Sequence, residues 1–232
     1  MIAPNTGRKK DFLDALLTVP EIYLPLISRD SKYVAYVWKN IHSNLDVFVV
    51  STNGAIHPIA LTETPEATFC VSFAPDSKSV IVGEDKDRNE RVRLFEVRIE
   101  KPKQMIPLTE EDPIFFLRGG ALHPNRKWLV YGANYDVDKQ QEIESTWVYR
   151  QDLDTEEKVA LAKPRKPTWI IPHLNSLGNL ILYNRKDIHP RGDQIWLVDI
   201  NGKEDREILN FGPKAKIQAI WLPDGQEIGF IT

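Results

Sequence analysis

The chain has 232 residues, 42% of them apolar and 27% charged, enough apolar content for a buried core and enough charge for a soluble surface. The net charge is −3 with Lys and Arg scattered along the chain, which excludes the basic footprint of a nucleic-acid binder. A single cysteine excludes an intrachain disulfide and fits a reducing compartment; with no run of about 18 apolar residues and no apolar signal core, the sequence predicts a cytoplasmic protein without a membrane span.

The first element is a helix over Lys9 to Thr18, where Phe12, Leu13, Leu16 and Leu17 make an apolar stripe that Pro20 stops. A helix this short must dock on this domain or on a partner. It belongs to an N-terminal extension, 1–20, and the rest, 21–232, is repetitive. The phrase Phe73-Ala-Pro-Asp-Ser-Lys-Ser-Val-Ile-Val82 predicts a tight turn on Pro75-Asp76-Ser77 that feeds a β-branched strand. It recurs at Arg29-Asp30-Ser31-Lys32, Pro124-Asn125-Arg126-Lys127, Ser176-Leu177-Gly178-Asn179 and Pro223-Asp224-Gly225-Gln226. From the second turn residue of each copy the steps are 46, 49, 52 and 47 residues. Four residues beyond it stand Val34, Val80, Leu129, Ile181 and Ile228; six beyond stand Tyr36, Val82, Tyr131, Tyr183 and Phe230. Apolar positions two apart, in phase over five copies, predict the inward face of one repeated strand.

Each repeat reads as four strands. The first has Glu21 to Ile27, Tyr33 to Trp38, Asp46 to Ser51 and Pro58 to Leu61, with Asn53-Gly54 turning the last pair. The second has Thr68 to Phe73, Ser79 to Gly83, Val92 to Arg98 and Met105 to Leu108. The third has Phe115 to Leu122, Trp128 to Ala133, Thr146 to Gln151 and Val159 to Ala162; the fourth has Trp169 to Leu174, Leu180 to Asn184, Gln194 to Asp199 and Glu207 to Leu209. A fifth begins with Ile217 to Trp221 and Glu227 to Ile231. The expected fold is therefore all-β, a β-propeller of four-stranded antiparallel blades at 21–62, 67–109, 114–163 and 168–210, with a partial blade at 215–232. Long loops recur between second and third strands (Lys39 to Leu45, Glu84 to Arg91, Asn134 to Ser145, Arg185 to Asp193) and should gather on one face of the disc. Four and a half blades make an open ring with unpaired edges, so the chain is expected to be the N-terminal part of something longer, or to be completed by a second copy through its open blade edges.

No catalytic residue is predicted. None of the 12 glycines is followed two residues later by serine, which excludes a Gly-x-Ser-x-Gly elbow, and no His-Glu-x-x-His, phosphate-binding glycine loop or cysteine cluster is present. No cofactor is expected. Asp85, Asp87, Asn89 and Glu96 match the 1, 3, 5, 12 spacing of a calcium loop, but Glu90 stands where that loop needs glycine and the flanks read as strands, so a solvated hairpin tip is the plainer reading. Lys163, Arg165 and Lys166 form a basic connector, and Asp136, Asp138, Glu142 and Glu144 an acidic loop able to attract a basic peptide or a cation. The dispersed histidines (His42, His57, His123, His173, His189) read as structural, Cys70 as a buried strand residue, and the strand tryptophans Trp38, Trp128, Trp147, Trp196 and Trp221 as packing between blades.

The turns Pro75-Asp76-Ser77-Lys78 and Pro223-Asp224-Gly225-Gln226 resemble the WD-like repeat of TolB-type propellers and the N-terminal propeller of the prolyl oligopeptidase family of serine peptidases. Asp11 to Leu17 followed by Val19-Pro20-Glu21-Ile22 resembles the helix and phrase before the first blade in the acylaminoacyl-peptidase and dipeptidyl-peptidase branch. The resemblance implies a gate that limits access to oligopeptides and docks on an α/β-hydrolase domain. Nucleophile, acid and histidine all belong to that later domain, so none is carried onto this chain. A free-standing TolB-like propeller, acting as a protein-binding scaffold, is the alternative.

Overall fold

The computed structural model describes residues 15, 18–39, 41, 44–111 and 117–232; the helix expected over 9–18 lies almost wholly outside them. The described chain folds into five antiparallel sheets in sequence order. Blade 1 holds β1 (Glu21–Ile27), β2 (Tyr33–Lys39), β3 (Asp46–Ser51) and β4 (Ile59–Ala60). Blade 2 holds β5 (Ala67–Phe73), β6 (Ser79–Asp85), β7 (Val92–Arg98) and β8 (Met105–Pro107). Blade 3 holds β9 (Leu117–Leu122), β10 (Trp128–Asp136), β11 (Gln141–Asp152) and β12 (Lys158–Ala162). Blade 4 holds β13 (His173–Leu174), β14 (Leu180–Arg185), β15 (Gln194–Asp199) and β16 (Arg206–Asn210), and β17 (Gln218–Trp221) with β18 (Ile228–Ile231) begin a fifth. The first strand of every sheet is an edge, and these edges surround the axis of a β-propeller.

The repeated turn holds each hairpin shut in the same way. Its third residue is left-handed in all five copies: Ser31 (φ 58°), Ser77 (59°), Arg126 (60°), Gly178 (80°) and Gly225 (72°). In the first four-residue turn Ser31 N–H donates to the Ser28 carbonyl (2.9 Å), and the other four repeat that bond. Asp30, Asp76, Asn125 and Asp224 each accept the backbone N–H two residues on, at 2.9–3.1 Å. These local bonds offset the cost of a left-handed non-glycine residue. Leu177 has no such oxygen, and Asn175 replaces it by accepting from Asn179 and Leu180 N–H.

The turns also link one blade to the next. Asp30 N–H reaches Ser77 Oγ (3.3 Å), and Arg126 bonds Asp76 (3.2 Å) and Glu96 (2.5 Å). Asn175 Nδ2 donates to the Gly225 carbonyl (2.9 Å). While Arg150 Nη1 bonds the Ile200 carbonyl (2.9 Å) further out, the turns of blades 3 and 4 meet by close contact, a Cβ on Gly178 falling 2.5 Å from His123 Nε2 and 2.7 Å from Pro124 Cδ. Glycine there serves both the dihedral and the approach.

One inward face per strand is too few. Between flanking blades a sheet is buried on both sides: Val80 and Val82 pack on blade 1, while Ile81 and Leu94 pack on blade 3. Val130 and Val148 face Ile181, Tyr183 and Val198 of blade 4, and Leu182 and Leu197 face Ile217 of the partial blade. Residues four and six beyond the turn marker thus face the preceding blade, and the residue between them faces the following one. Each fully buried aliphatic side chain contributes about 1.5–3 kcal/mol. Cys70 lies in the first of these interfaces, where burial pushes its thiol up to about 12 and leaves it unreactive.

Blade 3 departs from expectation. Its acidic loop is the end of an extended hairpin, with Tyr135 paired to Glu142, Asp136 to Gln141, and Asp136 buried. Tyr149 Oη donates to the Tyr135 carbonyl (2.7 Å) and holds the extension down. Blade 4 departs the other way: its inner strand is cut to two residues, because Pro172 lacks an N–H just before it. Among the described residues no helix is long and apolar enough to cross a membrane.

Two stability predictions follow from these contacts. A Cβ on Gly132 would meet the Ile170 carbonyl oxygen at 2.5 Å and Thr146 Cγ2 at 2.9 Å, so Gly132→Ala should destabilise the chain by about 1–3 kcal/mol in urea unfolding. Arg126→Ala leaves the buried Glu96 carboxylate without its cation and should cost about 2–3 kcal/mol, part of which Glu96→Gln restores in the double variant.

Candidate functional site: the axial channel

The innermost strands enclose a channel of ≈ 330 Å3 to which all five sheets contribute. Its wall is set by one repeat position, four residues before the turn marker: Leu26, Ser72, Ala121, His173 and Ile220. Bulges bend the strands beside it. The register slips between Tyr23 and Leu26 in β1, between Cys70 and Ser72 in β5, and around Gly119 and Gly120 in β9. Such slips re-aim side chains where a ladder would otherwise continue. The wall is mostly apolar, and its isoleucines are open to solvent: Ile27 is 63% exposed, Ile171 50% and Ile220 60%. Among the described residues no carboxylate lines it; the polar side chains there are Arg29, Ser72, His173 and the Trp221 indole, which is tied to the His173 carbonyl (2.7 Å).

A second depression of ≈ 360 Å3 shares Ile171, His173 and Ile220 with the channel and runs between blade 4 and the partial blade. His173 opens into both. His173 is exposed to solvent by area, yet the apolar walls on both sides of it disfavour the imidazolium and lower its pKa from the usual 6.5. Ser72 donates its hydroxyl to the Gly120 carbonyl (2.7 Å), which joins blades 2 and 3 at the wall. Arg29 enters from the turn face, its Nη1 donating to the Ser176 carbonyl across the ring (3.3 Å).

The loops between second and third strands gather at the opposite mouth, as their repeat position requires. Arg88 bonds Asn44 (3.1 Å), and Arg91 pairs with Glu142 (2.5 Å). Trp169, 71% exposed, stands beside this mouth with the Arg118 guanidinium 4.5 Å from its ring centre. The sequence predicts Trp169 at the start of a strand, but that strand begins only at His173.

The structure does not gather the calcium-spaced residues. Asp85 accepts Glu90 N–H (2.9 Å) and Asn89 accepts Arg91 N–H (2.8 Å) within the loop that carries Asp87. Glu96 faces away to Ser79 and Arg126. Among the described residues no three of His, Cys, Asp or Glu stand close enough to hold a metal. The basic connector is pinned: Lys163 lies over Trp147 (4.5 Å) and pairs with Asp138 (3.6 Å), and Asp187 accepts the N–H groups of Arg165 and Lys166. His123 accepts Asn125 N–H (3.0 Å) and packs on Trp128. Trp128, Trp147, Trp196 and Trp221 lie at the margins of the interblade cores, Trp128 and Trp196 capped by Arg150 (4.5 Å) and Arg185 (4.1 Å), whereas Trp38 packs on Tyr36 and Phe48 of its own blade.

No family model matches the sequence, and no curated protein matches it. Solved structures do. A putative TolB from Agrobacterium tumefaciens aligns with 88% of this chain and 72% of its own at TM-score 0.64 and 18% identity. An oligogalacturonate lyase from Vibrio parahaemolyticus aligns with 92% of this chain and 60% of its own at TM-score 0.66 and 16% identity. Prolyl oligopeptidase B from Galerina marginata aligns with 87% of this chain and 31% of its own at TM-score 0.59 and 13% identity. The structural neighbours are thus TolB-like propellers and members of the prolyl oligopeptidase family, and what is shared is the fold. An oligogalacturonate lyase in complex with manganese is similar too, at TM-score 0.66 and 13% identity, and there also the fold is what is shared.

The lowered pKa of His173 sets a pH dependence. Its stabilising contribution is complete above the unfolded value near 6.5 and is lost as pH falls toward the lower folded value, because the unfolded state binds the proton first. Stability of His173→Asn measured in urea should therefore fall less steeply than that of the parent between neutral and mildly acidic pH.

Proposed function

We propose that this chain is the non-catalytic propeller of a serine oligopeptidase-type protein, limiting access to, and docking on, an α/β-hydrolase domain carried elsewhere. The observation that carries the reading is the mostly apolar axial cavity of ≈ 330 Å3, lined by exposed isoleucines where a sealed hub would be packed. A cavity of that volume suits the side chains of a short extended peptide and not a folded protein. The likeness to prolyl oligopeptidase B and to a puromycin hydrolase supports it, since this chain aligns with 31% and 32% of those two chains. The opening phrase up to Ile22 favours the acylaminoacyl-peptidase branch. The two ends of the blade arc suit the remaining blades of a longer chain or a docked domain: Ile22 on β1 is 60% exposed and Ile231 on β18 67%. We place the protein in the cytoplasm on its single, buried cysteine.

A TolB-like scaffold is the second reading, favoured by the 72% coverage of the Agrobacterium protein. The two separate at Ala121, whose repeat position accepts Leu26, His173 and Ile220 elsewhere, so a large side chain there fills the channel without touching blade packing. A short labelled apolar peptide should bind the purified chain, and Ala121→Trp should weaken binding about ten-fold or more in fluorescence anisotropy. Binding unaffected by Ala121→Trp rejects the channel route and favours a scaffold that uses the rim. The chain alone should not turn over activated esters or peptide amides; turnover sensitive to a serine-directed inhibitor would overturn the non-catalytic assignment.

A further inference from the structure

Four of the five turns open with proline or serine (Pro75, Pro124, Ser176, Pro223), and the first opens with Arg29. This puts a long cation at the turn-face mouth of a channel whose described lining has no carboxylate. Arg126 has Glu96 and Asp76, and Arg185 has Asp205 (2.5 Å) and Asp187 (3.8 Å), whereas Arg150, like Arg29, bonds a carbonyl but at an outer blade surface away from the channel lining. Arg29 has no salt bridge among the described residues, and its one hydrogen bond is the 3.3 Å contact to a neutral carbonyl. A guanidinium offers five donors in a planar fork that matches a carboxylate. Partial burial already lowers the Arg29 pKa, and an anion beside it would offset that loss of hydration.

We propose that Arg29 anchors the C-terminal carboxylate of an extended apolar peptide lying in the axial channel, with Ile27, Phe73, Ile220 and Trp221 enclosing its last side chains. The inference rests on the peptide-access reading above and adds an orientation: the free C-terminus points to the turn face. A peptide is favoured over a fatty acyl chain because β1, β5 and β9 each pair on one side only, leaving N–H and C=O groups turned toward the axis. A peptide backbone can use those groups and a hydrocarbon cannot.

The test compares an N-terminally labelled Ala-Ile-Leu-Phe peptide as free acid and as C-terminal amide, by fluorescence anisotropy. The parent chain should bind the acid about ten-fold or more tightly than the amide, with a preference that shrinks as salt rises. Arg29→Gln should bring the ratio to near one while binding the amide as the parent does, which also verifies that the variant is folded. Arg29→Lys, with the charge but not the fork, should keep an intermediate preference. Equal binding of acid and amide by the parent, or a preference undiminished in Arg29→Gln, overturns the assignment and leaves the access reading standing. Failure of both peptides to bind the parent removes the access reading and this inference together. Displacement of bound peptide by decanoate, with the same dependence on Arg29, reassigns the channel to acyl chains and overturns the inference as well.

Discussion

The contact on which the architecture depends is small: the left-handed residue closing one blade's turn rests on the turn of the blade before it. Ser77 meets Asp30, Arg126 meets Asp76, Gly178 meets His123 and Pro124, and Gly225 meets Asn175. A four-residue turn could close in isolation on its own Asp or Asn oxygen. Its repetition at one radius is what fixes the rotation from blade to blade, since a sheet packed only through aliphatic faces can slide. The chemistry of the contact varies, from hydroxyl to guanidinium to bare backbone, while the dihedral does not. The dihedral is thus the conserved element within this chain, and the partners are local solutions to it.

From that constraint follow the two buried faces of each middle blade, and with them what the sequence made legible. Turn phrases and strand positions at fixed offsets could be read directly, because a left-handed turn residue and a β-branched run each leave a local trace. The limits of the reading were equally local. Asn134 to Ser145 looks like a loop because its charges dominate, yet Tyr135, Val137 and Ile143 interrupt them, and the bond from Tyr149 to the Tyr135 carbonyl converts the segment into hairpin. That bond joins residues 14 apart and has no local trace. In blade 4 the apolar run Trp169-Ile170-Ile171 promised a strand, and Pro172 withheld the donor that the ladder needed there.

The ends of the arc carry the same logic to its boundary. Phe230 holds the repeat position at which Val82, Tyr131 and Tyr183 are buried, yet it is 47% exposed and stacks on Phe211 (5.7 Å). The sheet around it has two strands, so the outer half of the surface that would cover it is missing from the described residues. On blade 1 the same repeat position carries Tyr36, which is buried with Phe48 and clusters with it and Trp38, ring centres 5.2–6.1 Å apart.

The channel column obeys a different rule from the core columns. Residues four beyond the marker are all aliphatic, whereas those four before it are Leu26, Ser72, Ala121, His173 and Ile220, which share neither size nor polarity. A column between two sheets is held to one chemistry by packing on both sides. The channel column faces open space on one side, and the backbone there is already fixed by bulges and turns, so packing holds it less tightly: Ser72 still bonds the Gly120 carbonyl and Leu26 still packs on the core of blades 1 and 2, while Ile220 stays open to solvent. Among the described lining residues Arg29 is the one cation, and it and the solvent-open isoleucines behind it lie outside the interblade cores, so the functional proposal rests on them and not on the repeats.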